Sequence, residues 1–290
     1  MNEMIGLIGG SGLGDVFARE LTNVRKINVK TPFGITSDKI IIGNFAGRKL
    51  AFLNRHGKGH TLNPSIVPFA ANIYALKKIG VTSVIGTTAV GSLTKKIKPK
   101  DLVIVDQVID KTFKRQNTFF DGVAAVHCEM AKPYCERLRK VVIDVSKKVK
   151  AKVHKQGTYV CMEGPQFSTR AESLMHQKWG GQLIGMTAMP EAKLAREAQM
   201  CYVLISMVSD YDCWQEHKKN ADSQELIKEI IGNLNDATEN TIRLIDAILK
   251  SKQAFCNEIC QCRKSLELAV WTGKEHINKK YTEIFKILRS

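Results

Sequence analysis

Cys201-Tyr202-Val203-Leu204-Ile205-Ser206-Met207-Val208 is an almost wholly apolar run that closes on Ser209-Asp210-Tyr211-Asp212-Cys213-Trp214. It is too short for a helix core and rich in β-branched and bulky side chains. That is the pattern of a strand buried on both faces of a parallel sheet. Two acids two residues apart in extended chain point to the same side. Asp210 and Asp212 are therefore expected together just past the carboxyl end of this strand, where open α/β sheets place their ligands. Taken alone, a minority of such pairs are solvated loop acids or a helix N-cap, so other parts of the chain have to decide.

Other apolar runs repeat the strand pattern: Met4–Ile8, Ile40–Ile42, Leu50–Leu53, Val81–Ile85, Leu102–Val105, Tyr159–Met162 and Leu183–Met186. Helical patterns lie between several of them. One begins near Pro68, a second covers Tyr134–Val149, and a third opens at Pro190, a good first helical residue. A fourth starts near Asp222, with Glu225 placed for a capping box and Leu226, Ile227, Ile230, Ile231 and Leu234 on one face. Strands alternating with helices predict an α/β fold around a largely parallel sheet. No linker interrupts residues 1–250, which read as one domain; 251–290 read as an appended helical arm.

The chain has 290 residues, 44% of them hydrophobic, enough for a sizeable core. Its formal charge of +16 permits phosphate or nucleic-acid binding. The lysines, however, alternate with apolar or turn residues, as in Lys95–Lys100 and Lys147–Lys152. No basic helix, zinc-finger spacing or aromatic RNA-binding motif accompanies the charge, which argues against a nucleic-acid protein. Met1–Ile8 runs straight into a strand without the basic start and long apolar core of a signal peptide. No apolar stretch approaches the ~18 residues of a membrane span, so no membrane partner and a cytoplasmic location are expected. The eight cysteines include one cluster, Cys256-x-x-x-Cys260-x-Cys262. It lacks the paired C-x-x-C spacing of a structural zinc site, so no metal is expected. A disulfide or a redox-sensitive tail stays open.

Three segments offer ligands to an anion. Gly9-Gly10-Ser11-Gly12-Leu13-Gly14 follows the first strand, and its glycines let backbone N–H groups approach an anion while Ser11 adds a hydroxyl. It matches neither the dinucleotide fingerprint nor the P-loop. Arg55-His56-Gly57-Lys58-Gly59-His60 follows the strand Lys49–Asn54 and joins a bidentate guanidinium to a neighbouring imidazole donor. Gly86-Thr87-Thr88-Ala89-Val90-Gly91-Ser92 follows Val81–Ile85 with hydroxyl and amide donors. None of the three contains an acid to hold magnesium, so free inorganic phosphate fits better than a nucleoside triphosphate. His60 reads equally as a loop stabiliser or a ligand contact.

These segments resemble those of the trimeric purine nucleoside phosphorylases. The resemblance extends to Thr31-Pro32-Phe33-Gly34, Asn72–Lys77, Asp106–Asp110, Glu163-Gly164-Pro165-Gln166-Phe167-Ser168-Thr169-Arg170-Ala171-Glu172-Ser173 and Gly185-Met186-Thr187-Ala188-Met189-Pro190-Glu191. Asp210-Tyr211-Asp212-Cys213-Trp214 is similar to the 5′-methylthioadenosine phosphorylase branch. The likeness runs in order from about Ile5 to Leu249 and covers 251–290 poorly. It implies one α/β domain whose central mixed sheet is partly curled into a barrel and flanked by helices, assembled as a homotrimer or a dimer of trimers. It implies phosphorolysis of a purine nucleoside, 5′-methylthioadenosine above all, to adenine and 5-methylthioribose-1-phosphate, as in methionine and polyamine salvage. The alternative is a broader adenosine or 6-oxopurine nucleoside phosphorylase. No metal or organic cofactor is implied, because inorganic phosphate is the co-substrate.

Residue by residue, the resemblance puts phosphate on Ser11, Arg55, His56, Thr88, Ala89 and Thr187. Phe167 would pack on the purine with Ser168 beside it, and Met186 would support the ribose. His127 would approach the 5′ group from a neighbouring subunit. Ser223 falls where some relatives carry a branched apolar residue near the methylthio group. Thr169 with Glu172 also makes a capping box, and Phe167 and Met186 also suit core filling. The chemistry agrees independently. Breaking the C–N bond builds positive charge on the sugar and negative charge on the departing base. A phosphate dianion answers the first, and an acid at purine N7 answers the second with typically a hundred- to ten-thousand-fold in rate. Asp210 is the candidate for N7 and Asp212 for the 6-amino group.

Overall fold

The computed structural model describes residues 3–10, 13, 19–215, 223–256, 259–277 and 281–290. Among the described residues eleven strands form one mixed sheet: β1 Met4–Gly9, β2 Thr22–Ile27, β3 Ile40–Phe45, β4 Arg48–Asn54, β5 Val81–Ser92, β6 Leu102–Ile104, β7 Gln107–Asp110, β8 Val153–His154, β9 Thr158–Cys161, β10 Leu183–Gly185 and β11 Cys201–Asp210. The helices are α1 Phe69–Lys78, α2 Glu136–Ser146, α3 Arg170–Lys178, α4 Glu191–Glu197, α5 Ser223–Lys250 and α6 Thr282–Arg289. No helix among the described residues is long and apolar enough to cross a membrane.

The main path of the sheet runs β2-β3-β4-β1-β5-β10-β9-β7, and β11 branches from β5 to carry β6 and β8. The sheet curls but does not close. β5 makes the branch possible because its twelve residues outrun any single neighbour. Its first half pairs in parallel with β1, its last residues pair antiparallel with β10, and its other edge follows β11 from Ser83–Cys201 to Gly91–Asp210.

The apolar run at β11 is buried on both faces. Tyr202, Leu204 and Val208 pack with α1, α4 and α6 on one side. Cys201, Val203, Ile205 and Met207 pack with α2 and α5 on the other. The alternation is the pleat of a strand between two helical layers. Residues beyond 250 fold back onto these layers, with Phe255, Cys262, Leu266, Ile284, Phe285 and Leu288 buried.

The structure corrects the sequence reading in two places. Gly86–Ser92 is the second half of β5, where a post-strand loop was expected. Thr87 and Thr88 are β-branched and hold the extended form. Asp212 does not continue the strand of Asp210: it opens a 3-10 turn, Asp212–Trp214, with φ of 48°.

Candidate active site

One end of the candidate site is built where β4, β5 and the start of α4 meet. Arg55, one residue past β4, is 1% exposed. Its Nε and Nη2 donate to Glu191 Oε2 and Oε1, both at 2.8 Å, and its Nη1 donates to the Thr87 carbonyl at 2.7 Å. Burial works against the guanidinium charge, but Glu191 more than offsets it and holds the pKa above its ordinary value. Tyr202 Oη also donates to Glu191 Oε1, at 2.7 Å. Gly86 faces this trio: a Cβ there would stand 2.4 Å from Tyr202 Oη and 3.1 Å from Glu191 Oε1. Arg55 is legible in the sequence beside glycines after a strand, whereas the only sequence signal of Glu191 is its place in the first turn of α4.

His56 is 9% exposed and stacks on His60 with ring centroids 4.3 Å apart. Its Nδ1 lies 2.8 Å from the Leu62 carbonyl, which can only accept, so Nδ1 carries the proton. Burial first, and then the Arg55 charge, lower the imidazole pKa to about 4. The neutral ring therefore offers Nε2 as an acceptor, where a donor was expected.

Thr88 and Thr187, 99 residues apart in sequence, meet with hydroxyl oxygens 2.8 Å apart. Both are buried, and Ala89 between them and the acids is an exposed position in an otherwise buried stretch of β5. The Thr187 N–H donates to Tyr159 Oη at 3.3 Å. Ser11 and the side chain of Ser223 lie outside the described residues.

The two acids stand at the far end of β5. Ser209 Oγ donates to Asp210 Oδ1 at 2.5 Å, and the Asp212 N–H donates to Asp210 Oδ2 at 2.8 Å. The turn at Asp212 thus draws the pair together by a different route from strand alternation. A Cβ at Gly91 would lie 3.1 Å from Asp212 Cβ and 3.3 Å from Asp210 Oδ2, so glycine leaves room for both acids against β5. Burial first raises the Asp212 pKa; the Asp210 charge adds to this, while the hydroxyls of Ser173 and Ser168 oppose it. Asp212 Oδ2 is buried with no hydrogen-bond partner among the described residues. Trp214 Nε1 anchors the turn to the Ser92 carbonyl at 2.7 Å, and Asn233 on α5 reaches the Ser209 carbonyl at 3.1 Å.

Residues 163–169 flank the acids. Thr169 and Glu172 form the expected capping box of α3. Cys213 Sγ donates to the Ser168 carbonyl at 3.2 Å, joining this loop to the Asp212 turn. Gly164 lies against Met186, whose Sδ would be 2.6 Å from a Cβ there. The buried Arg115, also unforeseen, donates to the carbonyls of Glu163, Met186 and Met189, each at 2.6 Å, and to the Glu163 carboxylate at 3.2 Å. Phe167 is 86% exposed on this loop. His127 stands apart from these residues. It is exposed, its N–H donates to the Ala269 carbonyl at 2.9 Å, and its ring meets Trp271 edge-on. It lines a cleft of about 860 Å³ with Cys260 and Leu268 rather than with Asp210 or Thr88.

The sequence pattern of the Phosphorylase superfamily matches residues 4–250. S-methyl-5′-thioadenosine phosphorylase of Cereibacter sphaeroides is 43% identical over 273 residues, covering 94% of this chain and 92% of the relative. The protein of that name from Thermococcus kodakarensis is 46% identical over 255 residues, 88% of this chain and 96% of the relative. A methylthioadenosine phosphorylase structure from an antarctic soil metagenomic library superposes with a TM-score of 0.86 at 39% identity, covering 99% of both chains. The Schistosoma mansoni methylthioadenosine phosphorylase in complex with adenine gives 0.77 at 34% identity, over 85% of this chain and 90% of that one.

Proposed function

Because the chain belongs to the phosphorylase superfamily, we propose that it cleaves 5′-methylthioadenosine with inorganic phosphate, releasing adenine and 5-methylthioribose-1-phosphate. One observation carries the reading. The Thr88–Thr187 hydroxyl pair and the Asp210–Asp212 pair sit against the same strand, at Thr88 and Gly91. Three residues of strand span roughly 10 Å, room for a sugar between an oxyanion and a purine.

In this reading Thr88, Ala89, Thr187, Ser11 and Arg55 hold phosphate under the ribose, and His56 Nε2 accepts from the O–H of hydrogenphosphate. Met186 supports the sugar, and Phe167 closes over the base beside Ser168. Asp210 donates a proton or hydrogen bond at N7, and the unpartnered Asp212 Oδ2 accepts from the 6-amino group. Phosphate captures the anomeric carbon as the C–N bond breaks, and the electron pair leaves with adenine. The step needs no metal or organic cofactor. Holding the two reactants together converts a bimolecular encounter into an oriented one.

The homotrimer and the cytoplasmic location belong to the same proposal, as does a catalytic domain over 1–250 with 251–290 as an arm. Leu268 at 93% and Trp271 at 75% exposure surround His127 with apolar surface of the sort an interface covers. His127 would there meet a neighbouring protomer's 5′ group.

Product analysis with methylthioadenosine, with and without phosphate, tests the reading. Adenine and the sugar phosphate should form only when phosphate is present. Equal adenine release in phosphate-free buffer would identify a hydrolase and overturn it.

A further inference from the structure

Four cysteines from three separate segments of the chain converge at the end of β11 remote from the acids. The sulfurs of Cys135, Cys201, Cys260 and Cys262 all lie within 4.8 Å of one another. Cys260 Sγ is 3.5 Å from Cys201 Sγ and 3.7 Å from Cys135 Sγ. A tetrahedral zinc with Zn–S bonds of about 2.3 Å sets its sulfurs about 3.8 Å apart. Cys201, Cys135 and Cys262 are 0%, 2% and 5% exposed, and Cys260 is half-buried. We propose that these four thiolates bind one structural zinc ion that pins the C-terminal segment to the sheet.

The surroundings suit an anionic metal centre. Zinc with four thiolates carries a net charge of −2, which needs local compensation once buried. Cys135 is the N-cap of α2, and its sulfur accepts from the Leu138 N–H at 3.5 Å, at the positive end of that helix. The buried Arg196 donates from Nη1 to Cys262 Sγ at 3.6 Å. Cys256 Sγ lies 3.1 Å from Cys201 Sγ but falls outside the set of four. The four ligands come from the start of α2, the start of β11 and the 3-10 turn Gln261–Lys264 with its N-cap. No short C-x-x-C pair marks them, so spacing alone pointed away from metal. Cys201 and Asp210 are the two ends of β11, nine residue steps or roughly 30 Å apart, so the ion would brace the fold without touching the chemistry. Binding transfers the four thiol protons to solvent, and its free energy adds to that of folding.

Zinc is measured by elemental mass spectrometry on protein produced in zinc-supplemented medium and freed of loose metal. About one zinc per chain is expected. Cys260→Ser and Cys262→Ser, at the turn rather than in the sheet, should each drop below about a fifth of that, while Cys256→Ser keeps its zinc. Cobalt added to stripped protein should give the visible absorption of a tetrahedral thiolate complex. Chelation should lower the melting temperature of the native chain, and zinc should restore it. Less than about a tenth of a zinc per chain, or an unreduced mass showing these cysteines joined as disulfides, would overturn the site. Loss of zinc from Cys256→Ser would overturn the ligand set.

Discussion

Arg55 and Glu191 hold one another through two hydrogen bonds of 2.8 Å with both side chains sealed from water. This pairing makes the end of the site proposed to take phosphate a fixed part of the core. Removing one partner strands the other's charge, which typically costs about 3–5 kcal/mol. Arg55→Ala should therefore lower the melting temperature as well as weaken phosphate saturation. Arg55→Met combined with Glu191→Leu should recover much of the stability but none of the phosphate affinity. Thermal unfolding beside phosphate KM separates the two effects.

His56 makes stability depend on pH. Its pKa falls from the ordinary 6.5 to about 4 on folding. Between those values the unfolded chain takes up a proton that the folded chain refuses. The contribution is thus complete above 6.5 and is lost as pH falls through 4, with a slope of at most about 1.4 kcal/mol per pH unit. Melting temperatures measured across this window should fall less steeply for His56→Gln than for the native protein. Parallel curves would show that His56 titrates normally.

The acids should discriminate between bases. An ionised Asp212 accepts from a 6-amino group and faces a 6-oxo group with nothing to donate. A site built around one hydrogen-bonding partner can reject an analogue by about ten-thousand-fold. The kcat/KM for adenosine should greatly exceed that for inosine at neutral pH. Since the Asp212 pKa is raised, its protonated form is present at a higher pH than for an ordinary carboxyl. The inosine-to-adenosine ratio should consequently climb as pH falls. Asp212→Asn should narrow the gap at every pH, while Asp210→Asn should slow all substrates. Equal use of inosine and adenosine by the native protein at neutral pH would defeat this assignment.

Gly86 has a steric duty that composition conceals. The Cβ of alanine would press to 2.4 Å from Tyr202 Oη, beside the buried ion pair. Overpacking of this kind costs typically about 1–3 kcal/mol. Gly86→Ala should lower the melting temperature accordingly, and pairing it with Tyr202→Phe should restore part of the loss. An unchanged melting temperature for Gly86→Ala would refute the contact.

Apolar runs made β1, β4, β5 and β11 legible because strands buried on both faces must be apolar almost throughout. β2 was not, since five of its six residues are exposed on an edge strand and its pattern carries no burial signal. Thr88 and Thr187 could each be suspected from the sequence, but their 2.8 Å meeting depends on β5 and β10 lying side by side. Arg115 and Glu191 escaped notice because nothing local distinguishes a buried charge from a surface one. The cysteine site was half hidden for a related reason: Cys260 and Cys262 stand together in the sequence, but Cys135 and Cys201 join them only in three dimensions.

Trp214 gives the molecule an optical reporter of its own. Its indole N–H is fixed to the Ser92 carbonyl, the Tyr211 ring meets it edge-on at 5.9 Å, and Asp212 lies two residues away. Under the proposed function, a nucleobase arriving at the acids would change the polarity around this half-buried ring, and the emission wavelength would shift with it. Trp179, 48% exposed, supplies a red-shifted background, and Trp271→Phe removes the third indole, which lies at the proposed subunit contact. Occupancy of the purine end can thus be followed without a label, in a protein that has not turned over a single substrate.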